Sequence, residues 1–412
     1  MLTEPEVQAL PKLRPAPACR LCGARLDRTV LDLGRIPVAM GTRAFNTPDR
    51  LCRLHVLLCD SCLLVQLRDP FTLPQGITTA ITTGATAGIA AAPSAPPLPG
   101  ADDQARRFAR ALIQRLGLND TSLAVEITDT RPEVLPHFQA GGVPVLAQAT
   151  SFNAATAMEL AARAGRADVV LARDVLPRVA DLFDFAAGFA ALLRPKGIVV
   201  LQAPHLLPII QSVQFDAFRH DRRFYLSLGV IEQVLRSVGL RVFDAEKLAD
   251  DGGSLRVYAC HPRAVHAARP ALKAIRTAEA AAGLDRPDVY DAYAARVGQA
   301  IRDVRDFIAT RRAAGRRVAA YGLADRGTAL LNACGLGPTD VAWVADPDDT
   351  AKGRFLPGGG IPVVSAEALV EDRPSDLLIL PWPRAADLAA DLQPVRQKGT
   401  LFWIMTPAIR RV

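Results

Sequence analysis

The sequence predicts an α/β protein in which a small cysteine-rich domain precedes two doubly wound, Rossmann-like units. Three observations support this: two Cys-x-x-Cys pairs near the N-terminus, and two separate stretches in which apolar strands alternate with helical segments. A chain of 412 residues, half of them hydrophobic, is long enough for two or three domains. We place domain boundaries at 1–68, 69–100 (a flexible linker or lid), 101–262 and 263–412.

Lys and Arg exceed Asp and Glu by 49 to 42, and the net charge of +7 is spread along the chain. This excess either serves solubility or indicates an anionic ligand such as a nucleotide-sugar diphosphate. No basic block with interleaved aromatics is present, so we expect no nucleic-acid partner. No apolar run reaches the roughly 18 residues of a membrane helix, and the N-terminus lacks a secretory signal. We therefore expect a cytoplasmic protein with no membrane partner; its oligomeric state is open.

The segments CRLC and CDSC bring together Cys19, Cys22, Cys59 and Cys62. Two Cys-x-x-Cys turns are the usual way to arrange four thiolates around Zn²⁺, and Gly23 follows the first pair where such a turn favours a residue without a Cβ. In a cytoplasmic protein, cysteines indicate thiols and metal ligands rather than disulfides. With four protein ligands the ion has no open position, so we predict a structural zinc site.

The middle of the chain alternates between strands and helices. Residues 70–100 are rich in Thr, Ala, Gly and Pro and are typical of a flexible linker or lid. A helical pattern at 103–117 leads to an apolar strand at 122–128, and the alternation continues to 204. This rhythm predicts a doubly wound parallel sheet. Two strands joined by a Gly turn at 240–261 predict an antiparallel hairpin at its edge.

The C-terminal part begins with Ala- and Arg-rich helices over 263–312, broken near Pro287. Residues 316–336 then read as strand, Gly turn and helix, followed by further buried strands, which predicts a second, smaller Rossmann-like unit. Gly322 and Gly327 form a G-x4-G pattern in this turn. Close packing of strand on helix and binding of a phosphate explain the pattern equally well.

This domain order resembles a family of three-part C-methyltransferases that act on nucleotide-activated keto sugars in bacterial antibiotic pathways. The family has an N-terminal zinc domain, a central methyltransferase domain that binds S-adenosylmethionine (SAM), and a C-terminal Rossmann-like domain. The resemblance covers nearly the full chain and implies a class I methyltransferase-like central sheet. It is carried by CRLCG and LCDSCLLVQL within 19–67, APHLLPIIQSVQFD at 203–216, FYLSLG at 224–229, GGSLRVYAC at 252–260, AAYGLADRGTALLNACGLG at 319–337 and DPDDTAKGRFLPGGGIPV at 346–363.

The SAM motif of that family is degenerate in this chain. The family turn has a form like E-I-G-x-N-D-G, whereas this sequence reads EITDTRP. Glu126 is kept, but Thr128 and Pro132 replace the glycines, and Thr130-Arg131 replaces Asn-Asp. A β-branched Cβ and a missing backbone N–H both disfavour close approach of a ligand to the backbone. The second strand also lacks a terminal acid to hold a ribose. SAM is therefore a doubtful cofactor, with Glu126 and Thr128 its candidate ligands if it binds.

The catalytic cluster of the family, in a form like Tyr-His-Glu-His, removes a proton beside the sugar ketone, and the enolate attacks the methyl group. In the segment FDAFRHDRRFYLSLG, the resemblance sets Arg219 on the Tyr and Arg222 on the last His, with His220 and Asp221 between them. Arginine stays protonated and cannot be a general base. The two arginines either clamp an anion, polarise a carbonyl, or lie in an exposed loop. The candidate catalytic residues are His220, Asp221, Tyr225, His205, Arg219 and Arg222.

Three functional hypotheses follow. The first is a methyltransferase-like enzyme of antibiotic biosynthesis, repurposed to cyclisation, rearrangement or proton transfer on a small-molecule biosynthetic intermediate in the former sugar and SAM cleft. The second is an active SAM-dependent C-methyltransferase acting on a nucleotide-linked keto sugar. The third is a non-catalytic partner subunit, which predicts an exposed apolar patch and no usable pocket. We favour the first of these hypotheses.

Overall fold

The computed structural model describes residues 17–70, 101–128, 132–149 and 151–412. Within these ranges the chain forms three β-sheets of four, six and six strands, which confirms the predicted α/β class with two doubly wound units. Residues 71–100 of the predicted linker or lid, and Thr130 and Arg131 of the altered SAM turn, lie outside the described residues. In the described ranges, no helix is long and apolar enough to cross a membrane.

The N-terminal sheet is antiparallel and includes one strand from much later in the chain. Its order is β1 (Arg28–Pro37), β2 (Leu51–Leu58), β3 (Val65–Leu67) and β8 (Phe224–Tyr225). Strand β8 pairs with β3 through Val65 and Tyr225. The segment that carries the catalytic candidates is therefore attached directly to the cysteine-rich domain.

The central sheet has the predicted parallel strands and the predicted hairpin. Its four parallel strands are followed by β10, which runs antiparallel to both neighbours, so the hairpin closes one edge. The order across the sheet is β5 (Val145–Gln148), β4 (Ala124–Ile127), β6 (Ala167–Arg173), β7 (Leu193–Pro204), β10 (Ser254–Cys260) and β9 (Arg241–Leu248). The helices are α1 (Ala101–Leu116), α2 (Leu135–Ala140), α3 (Ala154–Ala164), α4 (Leu182–Leu192), α5 (Leu206–Gln211) and α6 (Leu228–Ser237).

Both faces of this sheet are covered, as expected for parallel strands with continuous apolar sequence. Along β6, Val169 and Leu171 pack into the layer that contains α1 and α2. Val170 and Ala172 face the opposite layer, where the rings of Phe185 and other aromatic residues of α4 pack edge to face. Because helices cover both faces, a ligand can reach the sheet only at the ends of its strands. Open α/β sheets bind ligands at the carboxyl ends of the strands.

The C-terminal sheet has the 3-2-1-4-5 order of a Rossmann-like unit, with a short antiparallel strand added. Its strands, in spatial order, are β13 (Val363–Ser365), β12 (Val344–Asp346), β11 (Val318–Tyr321), β14 (Asp376–Ile379), β15 (Leu401–Ile404) and β16 (Arg410–Arg411). Its helices, with the pair that leads into it, are α7 (Pro270–Ala281), α8 (Pro287–Ala313), α9 (Asp325–Ala333), α10 (Ala368–Glu371), α11 (Ala385–Asp391) and α12 (Gln393–Gln397). The predicted break at Pro287 is the first residue of α8.

Close packing accounts for both glycines of the G-x4-G pattern. A Cβ on Gly322, whose φ is +84°, would lie 2.7 Å from Cγ of Pro381. A Cβ on Gly327 would lie 2.5 Å from Cβ of Leu380. The carboxylate of Asp346, at the end of β12, accepts a hydrogen bond from the backbone N–H of Leu323 in the same turn. These contacts favour the packing explanation over the phosphate explanation.

We predict that Gly327→Ala lowers the free energy of unfolding by roughly 1–3 kcal/mol, because the added methyl group overpacks the contact with Leu380. Gly298→Ala is the matched control. Gly298 lies inside α8, where a Cβ would meet only Nη1 of Arg302 at 3.5 Å. Replacing a helical glycine by alanine should raise stability by about 1 kcal/mol. Urea unfolding of both variants measures the difference, and equal effects would contradict the close approach of helix and sheet.

Candidate functional site

The four predicted cysteine ligands converge on one point. The Sγ atoms of Cys19, Cys22, Cys59 and Cys62 all lie within 4.8 Å of one another. The Sγ atoms of Cys19 and Cys62 are 3.5 Å apart, and so are those of Cys22 and Cys59. Four thiol sulfurs at this spacing match the tetrahedral ligand set of a structural zinc site.

The two Cys-x-x-Cys turns have the same backbone form. The N–H of Gly23 donates to the Cys19 carbonyl at 2.9 Å, and the N–H of Leu63 donates to the Cys59 carbonyl at 2.8 Å. Both residues have left-handed backbone, with φ of 74° and 62°. Gly23 therefore has the backbone conformation that its position in the sequence predicted. Leu63 adopts the same left-handed conformation, which is uncommon for a residue other than glycine.

The environment of Cys19 favours a thiolate. A hydrogen bond from the Cys62 thiol, together with backbone and side-chain N–H donors, lowers the pKa of Cys19 to about 4. These donors include the backbone N–H of Leu21 at 3.4 Å and Nε2 of Gln66 at 3.2 Å. Because zinc binds thiolates, the residues fit a zinc ion, which would tie the two turns together and have no open position for substrate.

The basic segment at 219–223 is largely buried. Arg219 donates from Nε and Nη2 to both carboxylate oxygens of Asp221, at 2.9 and 2.7 Å, and its side chain is only 8% exposed. Burial opposes ionisation of Asp221, but the charge and hydrogen bonds of Arg219 outweigh it and hold the pKa of Asp221 well below its usual range. Arg219 and Asp221 therefore form a bidentate ion pair inside the protein.

Arg222 is neutralised in the same way. Its Nη2 lies 3.3 Å from Oδ2 of Asp174 and 3.2 Å from Oδ2 of Asp251, and its side chain is 5% exposed. The two carboxylates are more open, with about two fifths of each side chain exposed. Arg219 and Arg222 are thus not an exposed basic loop, and at this surface the aspartates lie outside the arginines.

The remaining predicted catalytic residues are buried, and each has a hydrogen-bond partner inside the protein. Nε2 of His220 lies 3.1 Å from the carbonyl of Cys52 and must donate to it, while burial lowers the pKa of this imidazole. Nε2 of His205 lies 2.7 Å from Oε1 of Glu279. The hydroxyl of Tyr225 accepts from the N–H of Arg219 and donates to its carbonyl. All three are nearly inaccessible, and their catalytic roles stay predictions.

A group of carboxylates at the carboxyl edge of the central sheet is absent from the candidate catalytic residues predicted from the sequence. Asp174 follows β6, and Asp250 and Asp251 precede β10. Oδ2 of Asp250 accepts from Nε2 of Gln202 at 2.7 Å. Asp174 and Asp251 have left-handed backbone, with φ of 53° and 48°, a conformation that is costly without a side-chain or packing reason and that clusters at functional sites.

Several atoms of this edge are buried without a hydrogen-bond partner within the part of the chain that the structure describes. They include Oδ1 of Asp174, Oδ1 of Asp250 and Nε of Arg222. Burial raises the pKa of Asp250. A buried polar atom without a partner is costly, so such atoms at one sheet edge indicate a site. The sequence signal was the position of these aspartates beside predicted strand ends, where α/β sites form.

The residues near the altered turn do not match the pattern by which the resembled family holds SAM. Oε2 of the buried Glu126 accepts from the N–H groups of Val134 and Leu135, at 3.3 Å each, so its carboxylate holds the start of α2. The N–H of Thr128 donates to the carbonyl of Gln148, which extends the pairing of β4 with β5. The carboxyl end of β5 also has no acid before α3 begins.

Comparisons with known proteins agree with this architecture. Residues 19–73 match a zinc-binding domain model, and residues 249–407 match the model of the C-methyltransferase C-terminal domain. The chain is 27% identical to the C-methyltransferase NovU of Streptomyces niveus, over 97% of each protein. The chain is a homologue of the C-methyltransferases. The resemblance predicted from the sequence, with its zinc domain and C-terminal domain, is confirmed.

Solved structures align with part of this C-methyltransferase homologue. A SAM-dependent methyltransferase from Clostridium acetobutylicum is 9% identical, with 39% of this chain and 91% of that chain covered and a TM-score of 0.30. The 1,6-didemethyltoxoflavin-N1-methyltransferase of Burkholderia thailandensis is 16% identical, with 48% and 93% covered and a TM-score of 0.29.

We predict that the purified protein contains about one zinc ion per chain, as four cysteine ligands require. Cys19→Ala should lose the metal and unfold the N-terminal domain, because structural zinc sites contribute folding free energy directly. Cys52→Ala is the control, since Cys52 is outside the four-cysteine cluster. Metal content and limited proteolysis measure both effects. A Cys19→Ala protein that kept its zinc and its fold would contradict the structural role.

Proposed function

We propose that this C-methyltransferase homologue is an enzyme of bacterial antibiotic biosynthesis that has exchanged methyl transfer for a proton-transfer step. The step would be part of a cyclisation or rearrangement of a small biosynthetic intermediate at the carboxyl edge of the central sheet. The observation that carries the proposal is the carboxylate of Asp250: Oδ2 accepts from Gln202, and Oδ1 is buried without a hydrogen-bond partner among the described residues.

Asp250 has the properties of a general base. Gln202 fixes its orientation through Oδ2, and on this proposal the buried Oδ1 takes the substrate proton once the substrate displaces the side chains that cover it. Burial raises its pKa, which brings a carboxylate closer to the range where proton transfer is efficient near neutral pH. A base fixed by a neutral amide donor keeps more of its basicity than one fixed by a guanidinium.

Arg222 supports the same chemistry. Its guanidinium is buried next to Asp251, the neighbour of Asp250, so on this proposal it offsets the negative charge of the aspartates at this edge and does not contact the substrate. The surrounding ion pairs join four guanidiniums to five carboxylates: those of Arg178, Arg219, Arg222 and Arg326 against those of Asp174, Asp216, Asp221, Asp251 and Asp325. Because this cluster has no excess positive charge, it favours a neutral carbonyl compound over a diphosphate.

Three further observations support a step without methyl transfer. The Glu126 carboxylate is engaged with the start of α2, Pro132 lacks an N–H, and no acid follows β5. We propose that none of the altered positions was refilled by an equivalent SAM ligand. The zinc ion, on this proposal, serves the fold and takes no part in the reaction.

We predict no binding of SAM or S-adenosylhomocysteine to the zinc-loaded protein by calorimetry. The decisive assay uses the intermediate that accumulates when the gene is deleted from its host. Incubation with the protein alone should convert it without a change in mass in water, and with uptake of deuterium in D2O. Conversion that requires SAM and adds a methylene unit would contradict the proposal and establish an active C-methyltransferase.

We predict that Asp250→Asn lowers the turnover of that intermediate by roughly 10²–10⁴-fold, the usual contribution of a general base. In the unchanged protein the rate should rise with pH as Asp250 deprotonates, with a midpoint above that of an ordinary aspartate, because burial raises this pKa. Asp120→Asn, an exposed residue before β4 at the opposite edge of the sheet, is the control. Equal rates in the two variants would eliminate Asp250 as the base.

A further inference from the structure

Arg326 reaches from the C-terminal unit into the turn that carries Asp250. It lies in the first turn of α9, and its side chain is 8% exposed. Nε and Nη2 donate to the two carboxylate oxygens of Asp216, at 2.7 and 3.1 Å, and Nη2 also donates to Oε1 of Gln214 at 3.0 Å. Nη1 donates to the backbone carbonyl of Asp251 and lies 3.5 Å from its Oδ1.

The turn that Arg326 contacts has an unfavourable backbone conformation. Asp251, Gly252 and Gly253 have φ of 48°, 81° and 119° in succession. A non-glycine residue in this region costs of order 1–3 kcal/mol, so it persists only where its surroundings hold it. Nε2 of Gln214 donates to the Gly252 carbonyl at 2.9 Å. This hydrogen bond restrains the turn a second time, through a residue that also accepts from Arg326.

The packing around Gly252 is equally tight. A Cβ at this position would lie 2.7 Å from Oε1 of Gln214, 2.8 Å from Nη1 of Arg326 and 2.9 Å from Cη2 of Trp382. Nε1 of Trp382 donates to Oδ2 of Asp216 at 2.8 Å, so the acceptor of the Arg326 ion pair is itself fixed. Residues of the C-terminal unit therefore define the space in which the turn sits.

We propose that Arg326 is a positioning residue whose guanidinium sets the conformation of the 250–253 turn, so that docking of the C-terminal unit completes the catalytic cleft. Through Asp251 it aligns Arg222, and through the turn it aligns Asp250 with Gln202. The catalytic part of this inference rests on the proposed function, whereas the hold on the turn does not.

The chemistry of arginine explains why this residue suits the task. Its planar fork offers five N–H donors in fixed directions, which here serve a carboxylate, an amide oxygen and a backbone carbonyl at once. Lysine supplies one compact charge on a flexible stem and cannot reproduce this geometry. A buried ion pair often adds little to the free energy of unfolding, because desolvation of the charges offsets their attraction. Control of the turn conformation therefore explains the buried Arg326 better than a gain in stability does.

The test compares Arg326→Lys with Arg354→Ala. Arg354 is the matched control because it also links the C-terminal unit to another part of the chain, donating to Oγ1 and the carbonyl of Thr42 at 2.7 and 2.8 Å, away from the turn. Hydrogen exchange of the peptide spanning 249–255 reports on the turn without any substrate. Turnover of the accumulated intermediate, and its pH dependence, report on the alignment of Asp250.

We expect Arg326→Lys to speed exchange of this peptide by roughly tenfold or more, since local opening would become easier by about 1.4 kcal/mol. We also expect kcat to fall about tenfold or more, with a shifted pH midpoint, whereas Arg354→Ala should leave exchange and pH midpoint unchanged. If Arg326→Lys does not fold, Gly252→Ala replaces it, because the added Cβ would push Nη1 of Arg326 and Oε1 of Gln214 away from the turn while the arginine side chain is kept.

Unchanged exchange in Arg326→Lys would overturn the inference, and so would faster exchange with an unchanged kcat and pH midpoint. Faster exchange together with a shifted pH midpoint in Arg354→Ala would overturn it as well. Any weakening of the contact between the domains would then be enough to loosen the turn. Failure of the proposed function gives a separate result, in which the intermediate is methylated in a SAM-dependent reaction. In that case, faster exchange of the 249–255 peptide in Arg326→Lys would still support the inference that Arg326 holds the turn.

Discussion

Buried arginine–aspartate pairs are the interaction on which the cleft depends. Arg219 with Asp221 and Arg326 with Asp216 each form a bidentate pair whose side chains are at most about a tenth exposed. Removing one partner would leave a buried charge uncompensated, which typically costs roughly 3–5 kcal/mol. The Arg326–Asp216 pair therefore holds together two segments that are 110 residues apart, whereas the Arg219–Asp221 pair fixes the conformation of a single segment.

The ion pairs at this sheet edge also determine which ligands its charge favours. Two arginines stand where the resembled family has ionisable catalytic residues, and each is consumed by a carboxylate. The positive charge that the sequence suggested for an anionic ligand is thus cancelled locally. What remains open at the sheet edge is carboxylate, with Asp250 as the group whose pKa burial raises. Proton transfer on a neutral carbonyl compound follows more naturally from this balance than recognition of a diphosphate.

The three parts of the molecule are joined by chain segments as well as by charges. Strand β8, which follows Arg219 and Arg222 in the chain, completes the N-terminal sheet, so the segment with these arginines is attached to the cysteine-rich domain. On the other side, Thr42 of the N-terminal part accepts hydrogen bonds from Arg354. The N-terminal domain is therefore in contact both with the segment that contains Arg219 and Arg222 and with the C-terminal unit.

The sequence by itself determined the four-cysteine cluster, the two doubly wound units and the resemblance to C-methyltransferases, because cysteine spacing and the period of apolar residues are local properties of the chain. It also identified the altered SAM turn and the segment at 215–229. Only the tertiary structure decided that Arg219 and Arg222 are neutralised, that Glu126 holds α2, and that Asp250 is held by Gln202. Those partners lie between 2 and 48 residues apart, and the charge and pKa of a side chain depend on neighbours that folding alone brings within hydrogen-bond distance.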